Sequence, residues 1–558
     1  MQKEYIDFGD LSAPTVASSS VRMLAALACE LDLEFCHSDI DQAFVRAPLK
    51  EDIFMRMPEG CGALSGKIVQ LNKSLYGLRQ ASREWYALLK KCLLALGFEQ
   101  CMADSCVFRF VEGGEVVLLL EVHVDDIFAV GTKERCDQFG KDLGEYVPVK
   151  SLGELKWYSG CYYERDREAG RLTISQQTYT EELGERYGVE WGGGIPLPTT
   201  WKLWDFDADE PSVEHPFRAL VGSLLWIALL TRPDIANSVR AVARYSGAPK
   251  LIHWKAALSI LGYAVRTSSF GICFQRGTVS GFTLITFVDA DYASRAADRR
   301  SVSGGVVMCA GGAIAWFSKA QKCVTLSTTP AEFVAVADMG KEILFLRQVW
   351  RFMLPKELRP CIPLYEDNEG AIQIAKYPIS NSRPCIPLYE DNEGAIQIAK
   401  YPISNSRPCI PLYEDNEGAI QIAKYPISNS RPCIPLYEDN EGAIQIAKYP
   451  ISNSRPCIPL YEDNEGAIQI AKYPISNSRP CIPLYEDNEG AIQIARYPIS
   501  NSNSKHIDVR HHFLRQLVDE KEVEIIHVAS QYQHADFLTK ALHEREFVFH
   551  RDYVMNLK

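Results

Sequence analysis

The sequence predicts a mixed α/β (α+β) fold, and three observations carry that expectation. Apolar runs end on carboxylates, as in EVVLLLEVHVDDIFAV from Glu115 to Val130 and GFTLITFVDADYAS around Asp289. Their Val and Leu content reads as buried strand. Glycine pairs at Gly113–Gly114 and Gly311–Gly312 separate neighbouring strand-like runs and read as hairpins. Helical periodicity marks Ser20–Leu33 and the stretch LSTTPAEFVAVADMGKEILFLRQVW.

At 558 residues, with 47% hydrophobic and 23% charged residues, the chain has ordinary globular composition and length for two to four domains. No apolar run reaches the length of a membrane span, and MQKEYIDFGD has neither the basic start nor the apolar middle of a signal peptide. An intracellular protein is expected. The 17 cysteines include no CxxC pair, which leaves zinc fingers unsupported and favours reduced, buried thiols. A net charge of -12 argues against a broadly basic nucleic-acid binder.

After the first helix, LEFCHSDIDQAFV reads as a strand that hands over to a helix near Ala43 and Phe44. Carboxylates favour helix starts, so Asp39 and Asp41 alone are unremarkable. Asp125 and Asp126 alone read most simply as a turn after a strand. Adjacent acids on a strand, however, point to opposite faces, so one can hold a metal while the other supports it. Two carboxylate-bearing strand ends, 86 residues apart, can converge on a pair of divalent cations for phosphoryl transfer.

Six ordered blocks extend this reading: SDIDQAFVRAPL, EDIFMRMPEG, LNKSLYGLRQASREWY, ADSCVF, HVDDIF and SLGELKWYSG. In this order they resemble the reverse transcriptase of copia-type retrotransposons. The resemblance implies a polymerase palm over 1–165, with Asp39 and Asp125 as metal ligands, Asp126 as the neighbouring acid, and Mg²⁺ or Mn²⁺ as a pair of ions in each active site. It implies that Phe44 packs under the incoming sugar, that Gln80 contacts the nucleotide, and that His123 stands on the substrate side where the family usually has Tyr or Phe. Without the family, Phe44 reads equally as core and Gln80 as a helix-surface amide. By the same resemblance, the family's fingers segment ends at QKEYIDFGDLSAP, so the upstream strands with basic contacts to the triphosphate are expected to be absent and the palm to have truncated fingers.

Residues 166–280 are expected to form a thumb and connection, with a helix in ISQQTYTEELGERYG and a linker over Gly192–Pro198. Two helical stretches follow, with Trp226 and Trp254 expected in the core. From 281 to 358 a second acidic system begins. Thr329 as N-cap, Pro330 at the first helical position and Glu332 three residues on form a candidate capping box. The family resemblance instead makes Asp289, Glu332, an Asp of the YEDN motif and Asp536 the four carboxylates of a two-metal ribonuclease H-like mixed sheet with helices, completed by residues 503–558.

Between these parts, RPCIPLYEDNEGAIQIAKYPISNS recurs six times with period 24 over 359–502, changed only where Arg496 replaces Lys. Each copy reads as a short strand, CIPLYED, then a short helix, EGAIQIAK, stopped by Pro. Uniform copies without distinct ends favour duplication of one strand–helix unit over a solenoid. The candidate nuclease acids Asp367, Asp391, Asp415, Asp439, Asp463 and Asp487 are chemically equivalent. Synthesis order and local contact favour Asp367, with Asp487 next. In the tail, His506, His511, His512, Arg510 and Arg515 suggest a basic face for a nucleic-acid backbone, or simple surface positions.

The reading as a whole is a polymerase and nuclease segment of a copia-type Pol polyprotein. Its implied partners are an RNA template, a DNA primer, an RNA–DNA hybrid and deoxynucleoside triphosphates, with no membrane. Its implied locations are the cytoplasm, in virus-like particles, and the nucleus. A catalytically silent relic and a repeat scaffold are the alternatives.

Overall fold

A computed structural model describes residues 11–207, 209–278, 284–294, 299–325, 327–354, 362–368, 517, 522–557 and short strands between 388 and 485. His506, Arg510, His511, His512, Arg515 and the later-copy acids Asp391, Asp415, Asp439, Asp463 and Asp487 lie outside the described residues.

The chain opens with helix α1 (Ser18–Glu30), strand β1 (Glu34–Ile40), β2 (Pro48–Arg56), β3 (Ile68–Lys73) and helix α2 (Ala81–Ala95). It continues through β4 (Glu99–Gln100), β5 (Val107–Glu112), β6 (Glu115–His123), β7 (Asp126–Gly131), α3 (Lys133–Gly144) and β8 (Val149–Glu154). Strands β2 and β3 form a separate antiparallel hairpin, while the others make one sheet in the order β4-β5-β6-β7-β1-β8. Strands β1 and β7, distant in sequence, are sheet neighbours, so their ends carry Asp39 and Asp126 to one place.

A second sheet follows from β9 (Trp157–Tyr158), β10 (Cys161–Asp166), β11 (Arg171–Ser175) and, after α4 (Gln177–Tyr187), α5 (Phe217–Leu230), α6 (Ala236–Ala243) and α7 (Leu251–Arg266), from β12 (Gly271–Gln275). Its order is β12-β11-β10-β9. A domain boundary at 165 therefore falls inside β10, which hydrogen bonds onward to β11. Two local expectations change here. Gly192 packs on the α7 backbone at Gly262, where an added Cβ would collide, so this stretch is tied to a helix rather than free. Trp226 is 43% exposed and lies over Gly160 instead of filling the core, while Trp254 is half-buried.

The third sheet contains β13 (Ile285–Asp291), β14 (Val302–Cys309), β15 (Gly312–Ala320), β16 (Ile362–Glu366) and the last strand, β17 (Val523–His527). Its order is β15-β14-β13-β16-β17, antiparallel through β13 and parallel beyond. Helix α8 (Thr328–Met353) lies between β15 and β16 in sequence and packs on β13 and β14, and α9 (Glu544–Met555) closes the chain. Strand β16 comes from the first repeat copy.

Helix α1 is buried along nearly its whole length and packs against strands of all three sheets, β1 and β7, β11 and β12, and β15. Its Arg22 Nε donates to Ile314 O at 2.7 Å, and Nη1 donates to Leu229 O and Leu230 O at 3.2 and 3.0 Å. The guanidinium also lies 4.1 Å from the Trp316 ring centroid, and burial lowers its pKa to about 10. A charge taken out of water is tolerable there because carbonyl acceptors surround it.

In copies two to six, the LYE segments form one parallel ladder, Leu388↔Leu412↔Leu436↔Leu460↔Leu484. The IQI segments of copies two to five form a second. The helix expected over EGAIQIAK is thus replaced, where described, by strand. Alternating β-branched Ile and Gln suit an extended chain, and eight residues between Glu and Pro are short for helix nucleation. Stacking at a constant offset of one repeat is the arrangement of the solenoid alternative, and duplication supplies the matching register.

Candidate active sites: two carboxylate clusters

Asp39, near the end of β1, pairs in register with Asp126, the first residue of β7. The run Glu115–Val130 is two strands rather than one, since β6 and β7 turn back at Val124 and Asp125. Asp125 therefore sits in the turn. The turn is costly locally, because Val124 has φ 60°, a left-handed conformation that β-branched residues avoid. Two bonds hold it: Trp85 Nε1 donates to Val124 O at 2.6 Å, and Ile40 N donates to Asp125 O at 3.0 Å.

Burial and the neighbouring Asp125, Asp126 and Asp41 raise the Asp39 pKa. Asp126 Oδ1 lies 2.8 Å from His37 Nε2. His37 escaped the sequence reading, although its period-two spacing from Asp39 places both on one face of β1. Below them, Glu121 is fully buried, accepts the Tyr158 hydroxyl, and keeps its other oxygen without a partner. Burial pushes its pKa up to about 8. It was hidden because one acid in an apolar run does not disturb the strand pattern.

Phe44 lies in a short 3-10 turn, Ala43–Arg46, where a longer helix was expected, with its ring centroid 4.9 Å from that of Tyr76. Gln42, in a left-handed conformation with φ 55°, redirects the chain there. Gln80 just precedes α2 and is buried rather than on a helix surface, its Nε2 3.5 Å from Glu51 Oε2. Arg83 bridges Glu51 and Glu84 beside it. His123 is half-buried, with its ring centroid 6.1 Å from that of Tyr158 and its Nδ1 without a partner.

The second cluster is tighter. One oxygen each of Asp289, Asp367 and Asp536 lies within 4.8 Å of the others, as do oxygens of Glu332, Glu366 and Asp367. Asp289 stands on β13 and is 2% exposed; Glu366 ends β16 with no exposure, and Asp367 follows it. Asp536 enters from a 3-10 turn near the C-terminus. Lys540 Nζ is 3.0 Å from Asp536 Oδ2 and 3.9 Å from Asp289 Oδ1, and the Thr539 hydroxyl donates to Asp289.

Glu332 does not cap α8. The helix begins at Thr328 after Ser327, and Thr329 Oγ1 bonds Asn368 Oδ1 at 3.1 Å, which leaves Glu332 to face the other carboxylates. Burial, then Glu366 and Asp289, raises its pKa to about 11. Burial, then Asp289, raises that of Asp536 to about 8. Asp289 and Glu366 are also raised, chiefly by burial, while nearby Asp289 and Asp536 raise that of Lys540.

A family described as reverse transcriptase (RNA-dependent DNA polymerase) matches residues 1–199. The chain is 35% identical to the Retrovirus-related Pol polyprotein from transposon TNT 1-94 of Nicotiana tabacum over 67% of its own length and 29% of that protein. It is 29% and 30% identical to those from transposons RE2 and RE1 of Arabidopsis thaliana, each over 68% of its length and 26% of theirs. The chain carries the reverse transcriptase domain of copia-type Pol polyproteins. It spans less than a third of the length of these relatives.

Asp39, Asp125 and Asp126 fall within the residues matched by the reverse transcriptase family, whereas the second cluster lies beyond them. Buried oxygens of Glu332, Glu366 and Asp536 have no hydrogen-bond partner. Buried carboxylates this close repel one another unless protons or cations intervene. The donors are all hard oxygens, so the cluster fits divalent cations of the Mg²⁺ or Mn²⁺ kind. No described helix is long and apolar enough to cross a membrane.

Proposed function

We propose that the chain is an RNA-directed DNA polymerase with ribonuclease H activity, and that each site works with a pair of divalent cations, Mg²⁺ or Mn²⁺. The observation that carries the polymerase reading is the pairing of Asp39 with the Val124–Asp126 turn inside a segment matched by the reverse transcriptase family. Cations held there supply charge neutralisation and an activated 3′ hydroxyl. Asp39 would bind from the end of β1 and Asp125 from the turn between β6 and β7, while His37 orients Asp126 beside them. Phe44 packs under the sugar, Gln80 supports the nucleotide side, and His123 lines the primer side. The substrates are an RNA template, a DNA primer and deoxynucleoside triphosphates.

The ribonuclease H reading rests on the five-stranded mixed sheet and its carboxylates. Asp289, Glu332, Asp367 and Asp536 hold cations against the phosphodiester of the RNA strand of a hybrid. Lys540 positions Asp289 and Asp536, and Thr539 orients Asp289. A silent relic is not favoured, since the carboxylates of both sites are assembled, and a repeat scaffold leaves them without a purpose. The cytoplasm, in virus-like particles, and the nucleus are the compartments this activity implies.

The test is primer extension and hybrid cleavage by one purified preparation. Asp125→Asn should abolish Mg²⁺-dependent extension and spare cleavage, whose carboxylates are separate. Asp367→Asn should do the reverse. Extension by Asp125→Asn at the wild-type rate refutes the polymerase assignment.

A further inference from the structure

The second cluster contains one acid more than its four proposed catalytic carboxylates. Glu366 ends β16, one residue before Asp367, and has no exposed surface. Its Oε1 accepts the Asn368 backbone N–H at 3.0 Å, but its Oε2 has no partner. An oxygen of Glu366 lies within 4.8 Å of oxygens of Glu332 and Asp367. A fully buried acid with an unpartnered oxygen beside two others is strongly unfavourable unless something positive or a proton joins them. The two three-oxygen groups meet at Asp367, which belongs to both.

We propose that Glu366 is a ligand of a second divalent-cation position, Glu332–Glu366–Asp367, set beside the position Asp289–Asp367–Asp536 and bridged to it by Asp367. This deepens the nuclease reading and rests on it for the purpose of the cations, though the binding itself does not require that reading. Charge balance supports it. Five ionised carboxylates, Asp289, Glu332, Glu366, Asp367 and Asp536, with the Lys540 ammonium sum to -4, which two divalent cations cancel. Removing Glu366 from the count leaves -3, one charge short for two such ions. Asp367 follows the last residue of β16 and is outside the strand's alternation, so its oxygen is not turned away from that of Glu366: Glu366 joins Glu332 while Asp367 is shared. Each position then offers three hard anionic oxygens and leaves room for substrate oxygens and water, as Mg²⁺ and Mn²⁺ require.

The experiment titrates Mn²⁺ into the full-length chain carrying Asp39→Asn and Asp125→Asn to silence the first site, with free Mn²⁺ read by electron paramagnetic resonance. That chain should bind two Mn²⁺. Adding Glu366→Gln should leave one, or weaken the second by at least tenfold, while Asp367→Asn should weaken both. The melting temperature in chelator checks the fold: the amide removes a buried, unpartnered anion, so it should not fall, while its rise on adding Mn²⁺ should shrink. Should the glutamine variant fail to fold, Glu366→Ala is titrated in its place. Two Mn²⁺ bound within twofold of the unsubstituted affinity after loss of Glu366 overturns the proposal, as does a parent chain that binds none. Two ions bound through Glu366 in a chain that cleaves no hybrid would uphold this inference and remove the nuclease reading instead.

Discussion

The turn that carries Asp125 should be sensitive to Trp85, a residue of α2 that touches no substrate in the proposed mechanism. Trp85→Phe keeps most of the buried ring, which is 1% exposed, and removes the indole N–H that donates to Val124 O at 2.6 Å. A net hydrogen bond contributes about 1 kcal/mol, and its loss falls on a residue whose left-handed backbone already costs about 1–2 kcal/mol. The remaining tie, Ile40 N to Asp125 O, cannot fix the orientation of Val124 alone. If about 1.4 kcal/mol of positioning is lost in the transition state, the rate of single-nucleotide extension falls about tenfold. Hybrid cleavage in the same preparation is the internal control and should stay within twofold. Val124→Gly, which removes the left-handed strain at an entropic cost of similar size, should recover part of the loss in the Trp85→Phe background. Unchanged extension by Trp85→Phe refutes the claim that this bond holds the turn; equal loss of both activities would mean general unfolding.

Glu121, with its pKa raised from 4.5 to about 8, gives a pH prediction. The folded chain binds its proton more tightly than the unfolded one, so the stability it contributes is complete below pH 4.5 and lost as pH rises toward about 8. The upper bound on that change is about 5 kcal/mol, and urea unfolding at pH 5 and pH 8 should show a smaller difference for Glu121→Gln than for wild type. Equal pH dependence of the two would exclude a buried, proton-binding Glu121. Arg22→Met strips donors from Ile314 O, Leu229 O and Leu230 O, and should destabilise the fold by on the order of 3–5 kcal/mol, seen as a lower urea midpoint. Phe44→Ala should raise ribonucleotide incorporation relative to deoxyribonucleotide by roughly 10- to 100-fold if the ring lies under the sugar. An unchanged ratio in competitive extension would remove Phe44 from that role.

What could be read from the sequence was whatever repeats a simple period. The strands bearing Asp39 and Asp289 and the helix bearing Glu332 follow from apolar alternation and helical spacing, and the ordered blocks brought Asp125 and Asp126 with them. Residues whose importance comes from partners remote in sequence stayed hidden. His37 is meaningful only once β7 lies beside β1, Lys540 only once the C-terminal turn reaches β13, and Arg22 only once β15 and the end of α5 surround α1. The turn at Val124 was concealed for a different reason: valine belongs in strands by propensity, and tertiary bonds from Trp85 and Ile40 override it. Glu332 was ambiguous because a cap and a ligand need the same acid near the same helix start. Only the position of Thr329, bonded to Asn368, separates the two roles.

The repeats show where sequence identity stops being informative. Six chemically equivalent segments compete for one strand position between β13 and β17, and loop-closure entropy hardly distinguishes the first from the last, because its cost grows only with the logarithm of length. The first copy occupies β16, pairing Thr286↔Leu364 on one side and Leu364↔Ile525 on the other. Its neighbours in sequence instead align LYE with LYE, one period apart. Two kinds of partner therefore exist for the same strand: the flanks of the mixed sheet, which are unique, and other copies, which are interchangeable. The unique position is filled once, and the interchangeable ones can extend one another without disturbing it. Deleting copies two to six, residues 383–502, would leave β16 and its carboxylates in place and join the first copy to the tail. Hybrid cleavage should then persist, because Glu366 and Asp367 are retained, and its loss would show that a later copy supplies the acids.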